Sequence, residues 1–85
     1  MAIKKVLYNL LKEIKAGNKV TAKSLGITIE ELATVVEYAK EKNYIKNGVI
    51  LRGGEGNKTL AIALENASIT FEGEMFLEKN SSSND

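Results

Sequence analysis

At Asn43 the hydrophobic period of this chain changes, and that change limits the fold to a helical first half followed by strands. Before it, Ile3, Val6, Leu7, Leu10, Leu11 and Ile14 recur at the spacing of one helix face. Gly17-Asn18 then supplies residues that end a helix in the left-handed conformation. Thr21 to Leu25 reads as a short helix capped by Thr21 and broken by Gly26. Thr28 and Glu31 form a capping box, and Ile27 and Leu32 occupy the two positions of a hydrophobic staple. Ile29, Leu32, Val35, Val36 and Ala39 continue as an apolar stripe, which predicts a helix over about 29–42. Helix, short helix, glycine turn and helix is the order of a helix-turn-helix.

Beyond Asn43 the run from Tyr44 to Arg52 is rich in β-branched and aromatic residues, with Asn47-Gly48 marking a bend or bulge. Residues 53–57 form a glycine-rich turn, and Thr59 to Leu64 alternates large and small apolar side chains as a returning strand does. Its alanines and leucines would also suit a helix. Glu65-Asn66 turns the chain, and Thr70 caps a short helix over about 71–79. The expected fold is therefore α+β: a winged helix-turn-helix of three helices, a two-stranded β-hairpin wing and a short closing C-terminal helix. Residues 1–80 make that domain, and the polar tail 81–85 is expected to be disordered.

Composition excludes more than it suggests. The 85 residues contain no cysteine and no histidine, which removes disulfides, thiolate metal sites, the commonest metal ligand and the commonest general base. We expect no enzyme activity and no cofactor. No apolar run approaches the ~20 residues that span a bilayer, and no signal-peptide core follows Met1, so a cytoplasmic protein that avoids membranes is expected. Charge is unevenly placed. Residues 1–58 carry eleven Lys/Arg and six Glu, a net +5, and residues 59–85 carry one Lys and five acids, a net −4.

Several blocks, taken in order, carry a family resemblance. They are Tyr8 with Leu11-Lys12-Glu13-Ile14, then Gly17-Asn18, Gly26-Ile27-Thr28, Tyr44-Ile45 with Gly48-Val49, Ile69-Thr70, Gly73, and Phe76 to Ser81. On these blocks the chain, from about Lys4 to Ser81, resembles the YjcQ family of small winged-helix proteins found in bacteria and their prophages. The resemblance implies a winged-helix fold and a DNA-binding or phage-related regulatory role. It carries over no reaction and no functional residues.

Four constellations are candidates for function. Lys4, Lys5, Tyr8, Lys12 and Lys15 fall within one arc of the first helix, where lysines around an exposed aromatic suit phosphate contact. A solvated face whose lysine stems cover apolar surface is the simpler explanation on charge patterning alone. Arg52 and Lys58 flank the glycine-rich tip and could follow a phosphate backbone, or could merely discourage edge pairing. The 29–42 helix would be the recognition helix, with Glu30, Ala33, Thr34, Glu37, Tyr38, Lys40 and Glu41 exposed. It carries four glutamates against two lysines, and no Arg, Asn or Gln to pair with base edges. On the last helix Gly73, Phe76, Leu77 and Asn80 share the packed side, while Phe71 and Met75 stand apart as a dimer or partner contact, or as a lid on the core. Glu72, Glu74 and Glu78 are solvating residues.

The sequence reading is a transcription-regulator-like accessory protein that binds double-stranded DNA through Lys4, Lys5, Tyr8, Lys12, Lys15, Arg52 and Lys58. The alternative is a protein–protein interaction module on the same scaffold without DNA. It would dock through the acidic helix or the Phe71/Met75 pair, as a homodimer or with another protein.

Overall fold

The computed structural model describes residues 3–56 and 58–81. Its elements run α1 (Ile3–Ala16), α2 (Ala22–Leu25), α3 (Ile29–Glu41), β1 (Ile45–Lys46), β2 (Val49–Gly53), β3 (Lys58–Ala63), β4 (Ser68–Ile69) and α4 (Phe71–Ser81). This is an α+β arrangement whose order is compatible with a winged helix-turn-helix. α4 runs on to Ser81, one residue into the segment expected as a tail; the rest of that segment, residues 82–85, lies outside the described residues.

Local chemistry sets the ends of the first three helices. Thr21 and Thr28 each cap the helix that follows through a reciprocal capping box, with Ser24 and Glu31 as the returning partners. The C-termini share one solution. Gly17, Gly26 and Asn43 take left-handed backbone angles. The next amide then reaches back five residues: Asn18 to Glu13, Ile27 to Ala22, and Tyr44 to Ala39. This motif satisfies carbonyls the helix leaves unpaired and redirects the chain sharply.

The core joins α1 and α3. Leu7, Leu10, Leu11 and Ile14 from α1 meet Leu32, Val35, Val36 and Ala39 from α3, closed by Ile45 and Leu77. β2 and β3 form an antiparallel hairpin whose inward residues Ile50 and Ile62 pack on this core.

The structure adds a second antiparallel ladder to the expected hairpin. β1 pairs with β4, Ile45 opposite Ile69 and Lys46 opposite Ser68. The Thr70 amide donates to the Tyr44 carbonyl, and its hydroxyl donates to the Asn43 carbonyl while accepting from the Gly73 amide. One buried threonine thus caps α4 and ties it to the end of α3. Between the ladders Asn47 takes a left-handed conformation, and the Lys40 ammonium donates to the Gly48 carbonyl at 2.6 Å.

Candidate interaction surfaces

The structure divides the expected DNA-contacting residues between two neighbourhoods. Lys4, Lys5, Tyr8, Lys12 and Lys15 lie on α1, which packs against α4 and α2. The ammonium of Lys15 sits 3.2 Å from the Glu74 carboxylate of α4, and Tyr8 and Lys12 share a shallow recess with Glu74 and Glu78. The acidic face of α4 therefore lies against part of the basic stripe of α1. Both partners of the Lys15–Glu74 pair are half-exposed, so it adds little stability. Tyr8 departs from the expectation of an exposed aromatic: it is half-buried and packs on the core. Its position beside the apolar arc turns the ring inward at low cost.

Arg52 and Lys58 lie on the hairpin, which packs on α3. The Arg52 guanidinium donates to the Glu37 carboxylate, and this bond holds its pKa above the ordinary value. Glu30 grips the other strand: one carboxylate oxygen accepts the Thr59 amide at 2.9 Å and the other the Thr59 hydroxyl at 2.8 Å. These two bonds, the amide's first, hold the Glu30 carboxyl below its ordinary pKa.

Three of the four glutamates on α3 thus have internal work. Glu31 closes the capping box, Glu30 clamps β3 and Glu37 holds Arg52. The negative charge that makes α3 a poor reader of DNA is, for these three, spent on capping the helix and docking the hairpin. Ala33 corrects the expectation in the same region. It is 1% exposed, because the hairpin covers that side of α3.

Acid should loosen this clamp. The folded-state pKa of Glu30 lies below 4.5, so its contribution is complete above that value and is lost as pH falls through the depressed pKa. The Thr59 amide resonance is expected to titrate with a midpoint below 4.5 in spectra taken from neutral pH downward. A midpoint at or above 4.5 would show that the carboxylate does not hold Thr59.

The outward side of the hairpin is apolar along most of its length, with the exposed Lys58, opposite Gly53, at its turn end. Strand alternation places Val49 and Leu51 there, opposite Ala63 and Ala61. A bulge between Leu51 and Arg52 shifts the register, so Leu60 does not follow Ile62 inward. Leu60 leans over Gly53 on the outward side, where an added Cβ would lie 3.1 Å from its Cδ1. Val49, Leu51 and Leu60 are 55%, 56% and 59% exposed, and both alanines are exposed. Sequence reasoning missed this surface, since regular alternation puts Leu60, Ile62 and Leu64 on one face.

Phe71 and Met75 stand on α4 as anticipated, 73% and 52% exposed, beside Lys4, Tyr44, Phe76 and Lys79. The Tyr44 and Phe76 rings meet beneath them with centroids 5.1 Å apart. Among the described residues no group of three acidic, histidine or cysteine side chains could hold a metal ion, and no helix is long and apolar enough to cross a membrane.

No curated protein and no solved structure matches this chain. A family model described as YjcQ protein matches residues 3–84, nearly the whole length, and the chain therefore belongs to the YjcQ family.

Proposed function

We propose that the chain is a winged-helix scaffold that works as a non-catalytic protein–protein interaction module in the cytoplasm. The observation that carries this reading is the outward face of the hairpin. There Val49, Leu51, Leu60, Ala61 and Ala63 present apolar surface, with Lys58 at the turn end of the face. A wing that follows a nucleic-acid backbone needs cations and hydrogen-bond donors facing out. In this hairpin Arg52 turns to Glu37, which leaves Lys58 as the exposed cation of the two paired strands. Exposed apolar surface costs solubility, and a contiguous patch of it is the usual mark of a contact site.

The DNA-binding reading, with its regulator-like and phage-derived role, keeps one favourable observation. Lys4, Lys5 and Lys12 form no salt bridge with any described residue, so α1 retains cations able to meet phosphate. Three such contacts, with Lys58 of the hairpin as a fourth that forms no salt bridge with any described residue, give weak, sequence-independent binding that salt removes quickly. Fluorescence anisotropy with a random-sequence duplex separates the readings. The expected result is weak binding at low salt that disappears by physiological salt. Saturable binding that persists there, and falls when Lys4, Lys5 and Lys12 are changed to glutamate, would overturn the proposal.

A further inference from the structure

We infer that the groove along α4 is a docking site for an amphipathic helix of another protein, one that carries apolar residues a turn apart and a carboxylate beside them. This is a second contact surface, which shares no residue with the outward face of the hairpin, so each can fail without the other. The groove has a volume of about 590 Å³. Its α4 wall runs from Phe71 and Glu72 through Met75 and Phe76 to Lys79, residues that helical spacing gathers on one side. Tyr44, in ring contact with Phe76, lines it from below, and Lys4 lines it from the first turn of α1. The packing of α4 does not need this side. Gly73 and Leu77 are buried, whereas Phe71 and Met75 remain exposed.

Charge selects the occupant. Lys4 and Lys79 both line the groove, and neither forms a salt bridge with any described residue. Glu72 is the acid among the lining residues, so two cations against one acid leave the groove positive. A carboxylate set over Lys4 and Lys79, away from Glu72, complements that charge. The one-turn spacing of Phe71 and Met75 matches the apolar anchors of a helix laid alongside. Other occupants fit less well. An anionic membrane or a nucleic acid would also meet Glu72, Glu74 and Glu78 on the same helix. The groove is open along one side, whereas a small-molecule site encloses most of its ligand. A second copy would bring one acid to two cations and leave its own Lys4 unmatched.

Selection from a displayed library of random peptides of about 16 residues, long enough for several helical turns, tests the inference against the full chain. The enriched peptides are expected to share two large apolar residues one turn apart, with Asp or Glu in the adjoining turn. Synthetic copies should bind Met75→Glu, and the double variant Lys4→Glu/Lys79→Glu, at least ~10-fold more weakly than the wild type. The same peptides with lysine in place of each acid should recover affinity for the double variant, a reversal that loss of packing would not give. Leu51→Glu should bind like the wild type. These substitutions all fall at exposed positions, so unchanged circular dichroism spectra are expected.

A selection that enriches no peptide overturns the inference, as does enrichment of basic peptides or binding that survives Met75→Glu. Peptides lost with Leu51→Glu and kept with Met75→Glu would move the contact to the hairpin, which removes the α4 site and leaves the module reading standing. Sedimentation velocity of the chain without peptide tests the remaining occupant. A single copy is expected up to about 1 mM, beyond which any self-contact is too weak to compete. A dimer below that concentration that Phe71→Glu abolishes would put a second copy on the groove and overturn the inference.

Discussion

Replacing Gly73 with alanine is expected to lower the melting temperature by roughly 10–20 °C, the equivalent of about 2–3 kcal/mol in a domain of this size. Gly73 lies in the first turn of α4, where the helix crosses the Tyr44 backbone. A Cβ there would overlap the Tyr44 carbonyl and come within 2.6 Å of Ile69 Cγ1. Neither neighbour can give way easily. The Tyr44 carbonyl already accepts the Thr70 amide, and Ile69 is paired with Ile45 in the β1–β4 ladder. Relief must come from α4 moving outward, which separates Phe76 from Tyr44 and withdraws Leu77 from the core. Helix propensity acts in the opposite direction, since alanine is favoured over glycine by about 1 kcal/mol inside a helix. The sign of the measured change therefore decides between them. A thermal melt followed by circular dichroism that shows an increase would mean that α4 does not cross Tyr44 this closely.

Gly73 also shows what the sequence makes legible. Its place on the packed side with Phe76, Leu77 and Asn80 follows from helical spacing, and the structure buries Gly73, Leu77 and Asn80 and half-buries Phe76. Spacing does not reveal what lies on the other side of the contact. That is the β1–β4 ladder, formed by two pairs of residues more than twenty positions apart. A strand of two residues has no period to detect, and long-range pairing leaves no local trace. The helices are legible for the opposite reason. Thr21, Thr28, Gly17, Gly26 and Asn43 act on their own neighbours, and every one of them does what its residue type favours.

The candidate site is less legible, and Glu30 and Leu60 show why. Read along the helix, Glu30 is an exposed acid that repels phosphate. Once the hairpin docks it becomes the acceptor for Thr59, 29 residues away. Leu60 reads as an inward strand residue until the bulge at Leu51/Arg52 turns it out. In both cases the role is set by the partner segment and its register, so composition and periodicity cannot supply it.

Two leucines on opposite sides of this fold should respond very differently to the same substitution. Leu10 is 0% exposed in the centre of the α1–α3 core, and Leu51 is 56% exposed on the outward side of the hairpin. Leu10→Ala removes buried methyl groups and leaves a void that well-packed neighbours fill only partly, which costs about 2–5 kcal/mol. In a domain of this size that corresponds to a fall of at least ~10 °C in melting temperature, and the larger values would leave the chain unfolded near physiological temperature. Leu51→Ala leaves no cavity, and an exposed change of this kind shifts stability by only about 0.5 kcal/mol. Denaturant melts of both variants at low protein concentration, where any self-association is absent, measure the contrast directly. Equal losses would place Leu51 in the folding core and remove the outward face as an interaction surface. A large loss for Leu10 and almost none for Leu51 means that the fold does not need the hydrophobicity of the hairpin's outer side. Its concentration there, on Leu51, Leu60 and Val49, must then be explained by what the folded protein touches.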